Sequence, residues 1–261
     1  MQREKGKIRC VLALFLFGVG CLFFLLCNIF SGSISISSNE IIRFFMGFEI
    51  EDTYRRILMD IRFPRALAAF ILGGALALSG YLLQTFFHNP IAGPFVLGIS
   101  SASKLVVALL MVFLLGRAIR VSSAALILAA FTGAILAMGF VLLMSKKVKT
   151  MSMLVICGVM IGYICSAITD FIVTFANDAD IVNLHNWSRG SFSGMSWSNV
   201  SVMATVVFVT TIIIFFLSKP ISAYQLGENY AKTMGVNIRM LQILLIVLSS
   251  TLSACVVAYA G

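Results

Sequence analysis

The chain has 261 residues, 60% of them hydrophobic and only 11% charged, with a mean hydropathy of +1.04. A soluble domain carries about 25% charged residues to cover its core, so a water-soluble globule is excluded, and intrinsic disorder fails on the same numbers. The formal net charge of +9 does not point to nucleic acid, because no long basic run or recognition module accompanies it; basic residues flanking membrane spans account for it.

What remains is an all-α, polytopic transmembrane bundle, read as a single membrane domain over 1–261 with room for roughly seven spans of ~20 residues. Val11 to Phe30 is almost unbroken apolar sequence behind Arg3, Lys5, Lys7 and Arg9. Asn28-Ile29-Phe30 is not a small-residue cleavage site, so this run reads as a retained first helix with a cytoplasmic N-terminus. A polar stretch from Ser31 to Asp60 follows, holding Glu40, Glu49, Glu51 and Asp52. No charge lies between Arg65 and Lys104, but Asn89-Pro90 and Gly93-Pro94 interrupt the interval. Proline lacks the amide donor and disfavours helix just before it. Two helices near 65–85 and 95–115, joined by a break, are therefore predicted. Further apolar runs cover about 121–144, 152–176, 199–218 and 239–260, each helical because lipid leaves unpaired amides unsatisfied.

Threading from the N-terminus puts Lys146, Lys147, Lys149, Lys219, Lys232 and Arg239 inside, and Glu40, Glu49, Glu51, Asp52, Asp60, Asp178 and Asp180 outside. Arg55, Arg56, Arg62 and Arg65 fall outside, against the trend. Gly73, Gly74, Ala77 and Gly80 in the second span and Gly158 and Gly162 in the fifth have small-xxx-small spacing, which predicts close helix packing. Cys10, Cys21, Cys27, Cys157, Cys165 and Cys255 lie in or beside apolar runs without a C-x-x-C pair, and His88 and His185 are the two histidines. Neither a metal site nor a cofactor is expected. Asp170 and Lys104 lie within spans, the latter placed to snorkel. Trp187 and Trp197 bracket an external loop as interface anchors.

Three segments exceed generic membrane sequence. Arg62-Phe63-Pro64-Arg65 leads into Gly73-Gly74-Ala75-Leu76-Ala77-Leu78-Ser79-Gly80, then Gln84, His88-Asn89-Pro90-Ile91-Ala92-Gly93-Pro94 and Leu97-Gly98-Ile99-Ser100. Trp187-Ser188-x-Gly190-Ser191 comes next, and Leu226-Gly227-Glu228-Asn229-Tyr230-Ala231-Lys232-Thr233-Met234-Gly235-Val236 last. In the last, Leu226, Tyr230 and Met234 recur at i, i+4, i+8, which predicts a short cytoplasmic helix with one apolar stripe. Gly235 suits its left-handed cap and Asn237 the N-cap of the next span. Such a helix docks into a partner's groove or lies on lipid headgroups. No G-x-x-x-x-G-K-[ST] loop is present, so the chain is not expected to hydrolyse ATP or to be an enzyme.

These motifs, in this order from about residue 55 onward, resemble the permease subunit of ATP-binding-cassette importers for iron–siderophores, haem and cobalamin. The resemblance implies a coupling helix in the 225–236 loop, with Leu226, Gly227, Glu228, Tyr230, Ala231, Met234 and Gly235 bearing on an ATPase. It implies that Arg62 and Arg65 meet acidic residues of an external substrate-binding protein, a task suited to the planar guanidinium; otherwise they pair internally with Asp60 or Asp52 or sit at the headgroups. Gln84, Asn89, Pro90, Pro94 and Gly98 then line a hinge or pathway wall, or else a plain helix–helix turn. Gly93 and Ala102-Ser103-Lys104 depart from the family pattern. The implied assembly has two ATPase subunits, a second or similar permease and a binding protein, in a bacterial cytoplasmic membrane. The family usually has about ten spans, so a chain stopping at Ala258-Tyr259-Ala260-Gly261 is expected to be a fragment or a truncated product. A secondary transporter would need inverted repeats and intramembrane charge pairs. A membrane enzyme would need convergent polar residues at one depth; neither pattern is clear.

Overall fold

The computed structural model describes residues 2–32, 34–112, 123–145, 147–148 and 150–261. Lys146, Lys149 and the stretch 113–122, where the third span was predicted to end and the fourth to begin, lie outside the described residues. Among those described, six helices are long and apolar enough to cross a membrane: Lys7–Phe30, Asp52–Phe87, Ala124–Ser145, Met151–Val173, Trp197–Phe216 and Ile238–Ala260. The seventh predicted span appears as the shorter Ile99–Leu110. The chain is thus a polytopic α-helical membrane protein, and it divides into two compact units.

One unit comprises Met1–Ile71 and Phe192–Ser201. It holds α1 (Gln2–Phe30), α2 (Ser38–Phe45), α3 (Asp52–Arg56), a π-helical turn (Ile57–Arg62), and the beginnings of α4 (Phe63–Phe87) and α9 (Trp197–Phe216). The apolar side chains of α1 stay exposed for most of its length, as a lipid-facing helix allows. Only its last turns join a core, where Leu25 and Ile29 pack with Ile36, Ile41, Leu58 and Ala66. Trp197, predicted as an interface anchor, donates from Nε1 to the Met59 carbonyl at 2.8 Å, tying the start of α9 to the π turn.

The other unit comprises Leu72–Ser191 and Val202–Gly261. It adds α5 (Ile99–Leu110), α6 (Ser123–Ser145), α7 (Met151–Val173), α8 (Asp178–Ser188), α10 (Ser218–Gln225), α11 (Glu228–Thr233) and α12 (Ile238–Ala260). α12 is buried along most of its length from Leu245 to Ala258. Lipid provides no hydrophobic drive between helices, so hydroxyls and close backbone approach hold them. Ser79 of α4 meets Ser249 and Ser253 of α12, with Ser79 Oγ 2.8 Å from Ser249 Oγ. Ser103 Oγ of α5 donates to the Ala130 carbonyl of α6 at 2.8 Å.

α5 starts at Ile99 rather than near 95 because successive turns fill 93–98, with the amides of Val96, Leu97 and Gly98 returning to Gly93, Pro94 and Phe95. Its 12 residues extend about 18 Å at 1.5 Å each, well short of the ~30 Å hydrocarbon layer. The break enters the bundle: Leu97 and Gly98 sit on Gly158 and Gly162 of α7, about 10–16 Å along that helix by the same rise. Irregular backbone at such depth is tolerated where protein surrounds it, and Ala92, Leu97 and Ile99 are buried.

The small-residue stripe of α4 departs from expectation. A Cβ on Gly73, Gly74 or Gly80 would meet nothing within 4 Å, and Ala77 is exposed. α4 packs through Leu72, Ala75, Ser79, Leu82, Leu83 and Phe86 instead. Spacing fixes which residues share a face, not which face has a neighbour. The crossing of α5 and α6 depends on Gly133, where a Cβ would lie 2.5 Å from the Ala102 carbonyl oxygen.

Candidate functional site

The 226–236 motif forms α11 and its flanking turns, and with α10 just before it lies between spans α9 and α12; the single short helix predicted from Leu226 to Met234 is interrupted at Gly227. Gly227 turns the chain between α10 and α11 at φ +124°. Gly235 closes α11 at φ +80°, its amide returning to Lys232 while that of Val236 returns to Ala231. This is the paired hydrogen bonding of a left-handed helix cap. Asn237 then caps α12, its Oδ1 accepting from the Met240 amide at 3.1 Å.

Ala231 faces inward and is buried, whereas Leu226, Tyr230 and Met234 are 72%, 48% and 64% exposed. Leu226, at the end of α10, and Tyr230 and Met234, on α11 and its cap, are thus three large exposed apolar side chains on either side of the Gly227 corner. Beside Met234 lies an apolar groove of about 470 Å³, lined by Leu217, Pro220, Ala223, Met240, Leu241 and Leu244 among others. The inner side of the segment is anchored by polar contacts. Tyr224 is fully buried; its hydroxyl donates to Glu228 Oε1 at 3.4 Å and accepts from Gln242 Nε2 at 3.1 Å. Gln242 also donates to Glu228 Oε1 at 3.2 Å, closing a triangle. Burial raises the Tyr224 pKa above its ordinary value; the Gln242 bond opposes this and the Glu228 carboxylate adds to it, so the phenol keeps its proton for donation. Gln225 Nε2 donates to Thr85 Oγ1 at 2.9 Å and Tyr81 OH at 3.2 Å, both on α4. Sequence reading passed over Tyr224, Gln225 and Gln242, because their partners are up to 144 residues away.

The Asn89-Pro90 break begins at the same place. Asn89 Oδ1 accepts the Ile91 amide at 3.0 Å, forming an Asx turn around the proline. His88 packs its ring 4.7 Å from that of Tyr224. Gln84 is exposed, Asn89 is half-buried, and Pro94 and Gly98 are buried. The structure therefore brings His88 against Tyr224 of α10 and carries Gly98 inward to α7.

The two arginines predicted to dock a binding protein separate. Arg62 is 5% exposed. Its Nη1 donates to the carbonyls of Ile29 at 2.7 Å and Phe30 at 3.3 Å, and its Nη2 to that of Ile34 at 2.6 Å. It thus satisfies carbonyls at the end of α1 that have no intrahelical donor, with its positive charge at the negative end of the helix dipole. The docking expectation for Arg62 is corrected accordingly: a buried guanidinium with three carbonyl partners offers nothing to an external carboxylate. Arg65 is exposed. In the other unit, the Gly190 of the Trp187-Ser188-x-Gly190-Ser191 motif takes φ +74° against Ala260, whose carbonyl accepts from the Ser191 amide at 2.7 Å. Trp187 packs against the cluster of Val107, Leu184 and Ala258. Among the described residues, no group of His, Cys, Asp or Glu is arranged to hold a metal ion.

This helical membrane bundle, with an inner polar clasp and an outward apolar loop, has the architecture of a transport permease. The chain belongs to the FecCD transport family, whose pattern matches residues 20–261. It is 34% identical over 204 residues to the vitamin B12 import system permease protein BtuC of Klebsiella pneumoniae subsp. pneumoniae, covering 78% of this chain and 60% of that one. It is 30% identical over 211 residues to the hemin transport system permease protein HmuU of Yersinia pestis, covering 80% and 63%. A solved chain described as an inward-facing conformation of a metal-chelate type ABC transporter superposes with a TM-score of 0.80 at 26% identity, over 95% of this chain and 76% of that one. The chain therefore spans about three fifths of the length of the curated relatives it matches.

Proposed function

We propose that the chain is the permease component of an ATP-driven importer for a metal chelate of the iron–siderophore, haem or cobalamin class. Separate ATPase subunits bear on residues 226–235 from the cytoplasm, and ATP binding there drives the switch between outward- and inward-open forms. A second permease, the same or similar, completes the pathway, and an external binding protein delivers the cargo. The membrane is a bacterial cytoplasmic membrane, with the N-terminus inside. Arg65, exposed at the outer end of α4, is the arginine left for docking the binding protein, and such a charge speeds encounter.

The observation that carries this reading is the exposure of Leu226, Tyr230 and Met234 around the Gly227 corner of a segment whose inner side is pinned. Large apolar side chains held out of the fold in a polar loop mark a docking surface. The 34% identity to a vitamin B12 permease and the superposition on a metal-chelate transporter support the cargo class.

Co-purification from detergent with candidate ATP-binding subunits tests it. The wild-type chain is expected to retain the ATPase. The Leu226→Ser, Tyr230→Ser, Met234→Ser triple variant is expected to lose at least tenfold in affinity, with unchanged thermal unfolding because these side chains face outward. If the segment lies on lipid headgroups instead, neither the wild-type chain nor the variant retains the ATPase.

A further inference from the structure

Three helix ends use glycine for a left-handed cap: Gly47 after α2 at φ +80°, Gly190 after α8 at +74° and Gly235 after α11 at +80°. α4 closes on the same hydrogen-bond pattern, the amides of His88 and Asn89 returning to the carbonyls of Thr85 and Gln84 at 3.3 and 3.2 Å. Here, however, His88 holds the left-handed position at φ +49°, the one non-glycine residue with positive φ among the described residues. A side chain kept where glycine is the unstrained choice implies a contact that the side chain alone can make. That contact is with Tyr224, whose carbonyl lies 3.3 Å from His88 Nε2. A carbonyl only accepts, so this bond places a proton on Nε2.

The contact joins two others. Tyr81 and Thr85 share a face of α4 at i, i+4, His88 follows at its cap, and all three meet the Tyr224–Gln225 end of α10. On its other side Tyr224 is bound to Glu228, the first residue of α11, and to Gln242 of α12. From His88 the chain runs through Pro90 and Pro94 to Gly98, which lies against the backbone of Gly162 on α7. A bonded path therefore leads from the outward loop to the irregular segment inside the bundle.

We propose that His88 is a latch residue. It fastens the break at 88–98 to the α10–α11 segment, so that displacement of that segment moves the break with it. It is a positioning residue and touches no cargo. The inference rests on the reading of 226–235 as the surface on which an ATPase subunit bears.

His88→Gly separates a latch from a cap, because glycine is the favoured residue at this φ and keeps the turn while deleting the ring. The permease–ATPase complex is placed in lipid nanodiscs and trapped with ATP and vanadate. One spin-label pair joins Asn229 to Met160 on α7, and a second joins Ile91 to Met160; all three positions are exposed. In the wild type both distances are expected to shift on trapping. In His88→Gly, thermal stability is expected to be equal or higher and the Asn229 shift retained, while the Ile91 shift falls to less than half. A full Ile91 shift in the variant overturns the latch and leaves the coupling reading intact, as does a wild type in which Asn229 moves and Ile91 does not. Failure of the wild-type chain to retain any ATPase overturns the coupling reading and the latch with it.

Discussion

Replacing Arg62 with methionine is expected to destabilise the end of α1 by about 3 kcal/mol, since hydrogen bonds to a charged donor contribute about 1.5–3 kcal/mol each and are not fully additive. Methionine fills the space but leaves the carbonyls of Ile29, Phe30 and Ile34 without their donor. Gly32 makes the loss harder to repair. It allows the guanidinium to lie where a Cβ would stand 2.8 Å from Nη2, so the loop is moulded to arginine. Limited proteolysis of reconstituted protein is expected to cut residues 31–37 several times faster in the variant. Arg62→Lys is expected to recover only part of the protection, because an ammonium cannot fork across three carbonyls. Arg65→Ala is expected to leave protection unchanged, since Arg65 is exposed. Equal protection in Arg62→Met and wild type would show that the clamp contributes nothing to the end of α1.

The second large effect is expected at Gly98. It takes φ +73°, and an added Cβ would stand 2.7 Å from the amide nitrogen of Gly162, 2.8 Å from its Cα and 3.0 Å from the Gly158 carbonyl oxygen. These are backbone atoms, which cannot swing aside as a side-chain tip can. The left-handed conformation costs an L-residue about 1–2 kcal/mol, and overpacking about 1–3 kcal/mol more. Gly98→Ala is therefore expected to destabilise by about 2–5 kcal/mol, read from reversible denaturation in mixed micelles. Gly73→Ala is the matched control. Its Cβ meets nothing within 4 Å, and alanine gains about 1 kcal/mol of helix propensity over glycine. Equal stability in Gly98→Ala and Gly73→Ala would contradict the close crossing of the break and α7.

Much of the scaffold was legible in the sequence because lipid permits few solutions: long apolar runs must be helices. Glycine at 235 and asparagine at 237 announced their caps for the same local reason, a preferred dihedral and a short acceptor. Legibility stopped where the partner is backbone or is far along the chain. Arg62 presents a charge to the reader, but its partners are carbonyl oxygens 28 to 33 residues earlier, and a π turn whose register sequence does not reveal delivers it there. Gly73, Gly74 and Gly80 obey the packing pattern and meet nothing within 4 Å among the described residues, while Gly133, outside any motif, sits at a crossing. Tyr224 lies just before the loop motif and carries no sequence signal of its own. Its meaning lies in His88, 136 residues away.

The segment at 226–235 as the surface gripped by another polypeptide is tested most directly by a photoreactive probe at its most central outward residue. Tyr230 is replaced by p-benzoylphenylalanine in the reconstituted importer, which is then illuminated with and without ATP and vanadate. A covalent adduct with the ATP-binding subunit, changing in yield with nucleotide, is the expected result. Adducts confined to lipid in both conditions would contradict it.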